Sequence, residues 1–82
     1  MNQQQMSDLH LIAKAARVEL HFCTGGGFPP SSWIRGPGFH DRYWDPYKNI
    51  DDAVWLARRL DMEFSSQTDV IDKAVALGRT LQ

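Results

Sequence analysis

At 82 residues, with a formal charge of −1 and one cysteine, the chain excludes several classes of protein. A near-neutral balance gives no excess of Lys and Arg to hold a nucleic-acid backbone, and a single thiol rules out an intramolecular disulfide and fits a reducing compartment. Hydrophobic residues at 43% and charged residues at 23% describe a globular rather than a disordered chain, read as one domain over 1–82 that buries only about 60–65% of its extended surface.

The charges are uneven. Residues 1–40 hold three basic and two acidic side chains, and residues 41–82 hold six basic and eight acidic ones, so an acidic face in the second half would favour a basic partner. Met1 to Gln5 has neither a basic start nor a long apolar run, which speaks against a signal peptide or a membrane anchor; residues 1–6 read as a frayed polar lead-in.

Ser7 is placed to cap a first helix from about Asp8 to Arg17, with Leu9, Ile12, Ala13 and Ala16 on one buried stripe. Val18 to Cys23 then alternates with period two, setting Val18, Leu20 and Phe22 against Glu19, His21 and Cys23, as a half-buried strand does. Thr24 to Ser32, with three glycines and two prolines, reads as a loop. Trp33 to Arg35 and Phe39 to Trp44 follow as two short strands around a Gly36-Pro37-Gly38 turn, an aromatic hairpin held by cross-strand pairs.

Pro46 ends the hairpin and Asn49 caps a second helix over about Ile50 to Leu60. Asp52 at its third position approximates a capping box, and Ile50, Ala53, Val54, Ala57 and Leu60 form its apolar stripe, widened by Trp55 and Leu56. Asp51 and Asp52 at its start and Arg58 and Arg59 at its end suit the helix dipole. Met62 to Phe64 reads as a brief fourth strand. A third helix starts at Ser66 or Thr68, with Val70, Ile71, Ala74, Val75, Gly78 and Leu81 inward and Gly78 permitting a close helix contact. The order predicts an α+β fold, a small antiparallel sheet of three to four short strands packed with three helices.

The stretch Trp44-Asp45-Pro46-Tyr47, Asn49, Asp52-Ala53, Leu56-Ala57 to Leu60 resembles a family of small uncharacterised proteins of tailed bacteriophages and prophages. Their signature runs Trp-Asn/Asp-Pro-Leu, a few polar residues, then Asp-Ala and a Leu-Ala helix. Tyr47 stands where Leu is usual, and Met62 to Thr68 is shorter than the hairpin many relatives carry. The resemblance implies a phage origin and a sandwich-like α+β fold, and it implies no activity; the single thiol and the N-terminal composition set the expected place as the cytoplasm, here that of a bacterial host.

Chemistry is sparse. His21 and Cys23 share a strand face as half a zinc site, which His10, His40 or a carboxylate would have to complete, and no second His/Cys pair with ligand spacing exists. A surface histidine beside a half-buried thiol accounts for the pair, and nothing local activates Cys23 as a nucleophile. Gly25-Gly26-Gly27 runs into Phe-Pro-Pro rather than into a helix start, so it lacks the context of a phosphate loop. The expectation is therefore a non-enzymatic protein that needs no cofactor.

Trp33, Phe39, Tyr43, Trp44 and Tyr47 interleave with Arg35, Arg42 and Lys48. Such a cluster serves a protein contact or a single-stranded nucleic-acid platform; Asp41 and Asp45 within it favour protein. The expected contact surface is Trp33, Arg35, Tyr43, Trp44 and Tyr47, with Asp51, Asp52 and Asp61 as its charged part. The partner is a host protein complex, most concretely a bacterial defence complex that the chain inhibits in anti-CRISPR fashion; the alternative is a nucleic-acid-binding phage accessory protein. A homodimer through a leftover apolar face stays open.

Overall fold

The computed structural model describes residues 2–26, 28–36 and 39–81. Three helices and three strands follow in the order α1 (Gln3–Ala16), β1 (Glu19–Gly25), β2 (Phe28–Gly36), β3 (Phe39–Tyr43), α2 (Ile50–Arg59) and α3 (Gln67–Thr80). The fold is α+β, as the order of elements predicts. The strands form an antiparallel meander, β1-β2-β3. No helix among the described residues is long and apolar enough to cross a membrane.

The first helix begins five residues earlier than its Ser7 cap predicts. Asn2 accepts the Gln5 N–H at 2.8 Å and gives its own N–H to the Gln5 side chain at 3.3 Å, a reciprocal capping box. Residues 3–5 are therefore helical rather than frayed. The buried stripe is the expected one, Leu9, Ile12, Ala13 and Ala16. Arg17 turns into the left-handed region at φ 59°, and Val18 donates to the Ala13 carbonyl at 3.1 Å, closing the helix as a Schellman-type end that feeds β1 directly.

The predicted loop over residues 24–32 is largely strand. β2 takes in Pro29 and Pro30, which the ladder tolerates because of where they fall. Gly25 pairs with Phe28 beyond a register shift, which puts Pro29 beside a bulge. Pro30 lies past the end of β3, so no N–H is missed on that side. Gly27 of the expected loop and Pro37 and Gly38 of the expected turn lie outside the described residues.

Leu20, Phe22, Ser32 and Ile34 form the inner face of the sheet and meet the core of Leu9, Ile12, Trp44, Leu56, Val70 and Ala74. Ser32 is fully buried and its hydroxyl donates to the Trp44 carbonyl, while Trp44 returns its N–H to the Ser32 carbonyl at 2.9 Å. Two hydrogen bonds thus tie the end of the hairpin to its central strand.

Asn49 and Ser66 cap α2 and α3 through the N–H groups of Asp51 and Asp69, at 2.9 and 3.1 Å. α3 buries Val70, Ile71, Ala74, Val75 and Gly78 against α1 and α2. Two apolar residues depart from their predicted stripes: Ile50 is 54% and Leu81 56% exposed, each at a helix end beyond the packed turns. Met62 to Phe64 forms no strand. Asp61 reverses the chain at φ 55°, Met62 bonds back to the Ala57 carbonyl at 2.9 Å, and Met62 and Phe64 pack on the core from the link between α2 and α3. Among the described residues the sheet has three strands.

Candidate interaction face of the sheet

All three helices lie on one side of the sheet core, and strand alternation sends the other residues of β1, β2 and β3 outward. In register these are Glu19 beside Arg35, His21 beside Trp33, Cys23 beside Ser31, and Trp33 beside Tyr43. The Trp33 and Tyr43 rings meet edge to face, 6.1 Å apart at 85°, the geometry in which one ring's positive edge meets the other's negative face. The Trp33 Nε1–H donates to the Ser31 hydroxyl at 3.1 Å, which orients the indole across the face. Tyr43 remains 45% exposed.

Beside this aromatic pair lies a charged cluster. The Arg35 guanidinium forks onto Asp41, Nε to Oδ1 at 2.5 Å and Nη2 to Oδ2 at 3.0 Å. His21 Nε2 stands 3.5 Å from the same Asp41 Oδ2. The Arg35 hydrogen bond holds the Asp41 carboxyl below the usual carboxylate range, and the same contact raises Arg35. Both groups sit in water, so this fork fixes geometry and contributes little to stability. The register that pairs Trp33 with Tyr43 and Ile34 with Arg42 sets Arg35 opposite Asp41, just before the shift at Gly36.

The structure therefore brings Trp33, Arg35 and Tyr43 of the predicted surface together and removes others from it. Trp44 is fully buried and stacks its ring edge-to-face on Trp55, 6.1 Å away; it is core, because it follows Tyr43 in the alternation and points to the helices. Asp52, 4% exposed, is not a contact residue either. Its Oδ2 accepts the Asp45 N–H at 2.9 Å and its Oδ1 accepts Arg42 at 3.1 Å, so it ties the hairpin to α2 rather than reaching back to the Asn49 amide. Asp45 is buried as well, accepting the N–H groups of Tyr47 and Lys48 at 3.0 and 3.3 Å. Asp51 and Asp61 are exposed, but they sit at opposite ends of α2, roughly 15 Å apart for ten residues of helix, and join no common patch. The side chain of Phe39 lies outside what is described.

Tyr47 packs on the core and its hydroxyl oxygen is buried without a hydrogen bond of ordinary geometry. Burial first, then the carboxylates of Asp8, Asp45 and Asp72, push its phenol from 10.0 up to about 12. The folded state thus favours the neutral phenol. Its contribution to stability is complete below about pH 10 and is lost as pH rises toward 12. Tyr43 is raised too, by burial and then by Asp45 and Asp52. As these are the only two tyrosines, an absorbance titration at tyrosinate wavelengths is expected to show well under half ionisation at pH 10 in folded protein. Half ionisation at that pH without unfolding would refute the buried placement of Tyr47.

Two features escape sequence reading. Trp55 lies between the Arg42 and Arg59 guanidiniums, at 5.4 and 6.0 Å from its ring centre, beside a shallow groove of about 340 Å³ lined by Arg42, Asp51, Asp52, Val54, Trp55 and Arg58. The union of His21, Arg35 and Asp41 is the other, since it depends on register across three strands. Among the described residues no group of three or more His, Cys, Asp or Glu side chains converges as metal ligands. His10 packs edge-on against Phe22, 5.4 Å away, rather than beside His21, and Cys23 is exposed.

Comparison with family models, with curated proteins and with solved structures finds no match.

Proposed function

We propose that this chain is a non-enzymatic interaction protein that docks on another protein through the outer face of its sheet. One observation carries the reading: the Trp33–Tyr43 pair, flanked by the Arg35–Asp41–His21 cluster, stands on a sheet face opposite all three helices. Aromatic anchors with an arginine beside them are the composition of an interface centre. The phage-type resemblance of Tyr43 to Leu60 supports a host protein complex as the partner, met in the bacterial cytoplasm. Inhibition of a bacterial defence complex, in anti-CRISPR fashion, is the most concrete form of the proposal. A Trp33→Ala/Tyr43→Ala variant is expected to fold as the parent does and to lose its captured partner by about 30-fold or more, the effect of a single hot spot of about 2 kcal/mol. Undiminished capture by that folded variant refutes the proposed surface.

A second reading, binding of single-stranded nucleic acid by a phage accessory protein, draws on the same exposed ring and on the three arginines around Trp55. It is disfavoured because Arg35 is already held by Asp41 and Arg42 by Asp52. Titration of labelled single-stranded DNA at two salt concentrations separates the readings, since phosphate binding weakens steeply with salt. Binding with that dependence would replace the first reading.

A further inference from the structure

α3 buries one face against α1 and α2 and leaves the other open. On the open face Met62, Lys73, Ala76, Leu77 and Thr80 line a groove of about 390 Å³ whose walls are almost wholly apolar. Its polar groups are withdrawn. The Thr80 hydroxyl donates to the Leu77 carbonyl at 2.7 Å, which ties it to the helix's own backbone. The Lys73 ammonium reaches back to Asp69 Oδ2 at 3.0 Å, so the stem of the side chain rather than its charge lines the groove. Leu77 stands at the groove 44% exposed.

The spacing identifies the kind of occupant. Positions 73, 76, 77 and 80 stand at i, i+3, i+4 and i+7, the four residues of a helix that form the hole for a side chain of a facing helix. The small side chains of Ala76 and Thr80 leave room in that hole for a branched apolar knob. α3 carries such a knob itself, in Leu77. In an antiparallel pair about a two-fold axis near Ala76 and Leu77, Leu77 of each copy enters the hole of the other. One set of residues then serves both sides, as an isologous contact requires.

Charge selects the antiparallel direction. Asp72 and Arg79, seven residues apart, lie along the flank of α3 away from Leu77. Both are exposed, and among the described residues neither makes an ion pair within the chain. In the antiparallel pair Asp72 of each copy lies across from Arg79 of the other, whereas a parallel pair would set like charge against like. Lys73 of each copy also falls beside the last turn of the other α3, whose free carbonyls carry the negative end of the helix dipole.

We infer that two copies of the chain pair through antiparallel α3 helices, with Leu77 of each seated in the Lys73–Ala76–Leu77–Thr80 hole of the other. A contact of a few helical turns falls below the roughly 1,200 Å² of a standard specific interface, so a dissociation constant of about 10–100 µM is expected. The inference is independent of the partner surface, because Trp33 and Tyr43 stand on the far face of the sheet and stay open in the pair.

Sedimentation equilibrium of the full chain, from about 5 µM to about 1 mM so as to bracket that constant, tests it. The mass is expected to rise with concentration from 9.4 kDa toward twice that. Leu77→Glu is expected to keep the circular dichroism of the parent and to weaken pairing by about 30-fold or more. Asp72→Arg and Arg79→Asp are each expected to weaken it by about 10-fold, since each turns two attractive pairs into repulsive ones. An equimolar mixture of these two variants is expected to pair again as a heterodimer, which a structural defect in either would not produce. A chain still monomeric at the highest concentration would overturn the inference and leave the groove to a helix of another protein. A dimer indifferent to Leu77→Glu, or one broken by Trp33→Ala/Tyr43→Ala instead, would overturn it in favour of the sheet face. Charge variants that associate no better mixed than apart would overturn the antiparallel arrangement.

Discussion

Gly78→Ala is expected to destabilise the protein by about 3 kcal/mol, at the upper end of ordinary overpacking. A methyl group there would sit 2.1 Å from the Leu11 carbonyl oxygen, 2.6 Å from its carbon and 2.8 Å from the Leu11 Cβ. The first two atoms are helix backbone, so no rotamer change relieves the clash. α1 and α3 must move apart by about 1 Å before contacts become tolerable, since carbon and its neighbours lose attraction steeply inside about 3.5 Å. That separation loosens Leu9, Ile12, Val70, Ala74 and Val75 together, because they share one core. Alanine's better helix propensity returns about 1 kcal/mol and cannot offset the loss. For a domain of this size, whose whole stability falls near the low end of about 5–15 kcal/mol, the melting temperature is expected to drop by about 12–24 °C, at roughly 4–8 °C per kcal/mol. Thermal melts followed at 222 nm measure it, and an unchanged or higher midpoint would mean that the two helices have room to spare.

The same glycine shows what a sequence makes legible. Its place on the α3 stripe is read from local spacing, as are Asn49 and Ser66 as caps and the four-residue stripe of α1, because each depends on neighbours within a turn or two. Asn2 and Ser7 are both competent caps, and the choice between them falls to Gln5, whose side chain closes the box at Asn2. Pro29 and Pro30 look like loop residues until β3 is known to end before reaching them. Asp52 reads as a helix-start charge, yet its oxygens serve a backbone N–H seven residues back and an arginine ten residues back. The outer-face cluster was legible only in pieces. Trp33 and Tyr43 stand out as aromatics, but their contact and the convergence of His21, Arg35 and Asp41 depend on the register of three strands, which no local pattern encodes.

Trp44 and Trp33 are expected to respond oppositely to truncation, although sequence reading groups them on one surface. Trp44→Ala removes the largest fully buried side chain and is expected to cost about 3–5 kcal/mol, the greater part of a stability near the low end of about 5–15 kcal/mol. Its ring fills the space between Trp55 and the core, and its backbone exchanges hydrogen bonds with Ser32, so the hairpin end and α2 lose their common support together. Trp44→Phe discriminates further. The indole Nε1–H is buried with no hydrogen-bond partner, a group whose desolvation costs about 1–3 kcal/mol. Phenylalanine removes that unsatisfied donor while keeping an aromatic edge toward Trp55, and the relief offsets much of the smaller ring's lost packing. The expected net loss is under about 1.5 kcal/mol, the range of a near-isosteric core exchange. Trp33→Ala, on the open face, is expected to change stability by no more than about 1 kcal/mol, the scale of one cross-strand pair. Urea unfolding of the three variants measures the order. Equal losses for Trp33→Ala and Trp44→Ala would place both rings in one environment and remove the division between a core side and a contact side on which the proposed surface depends.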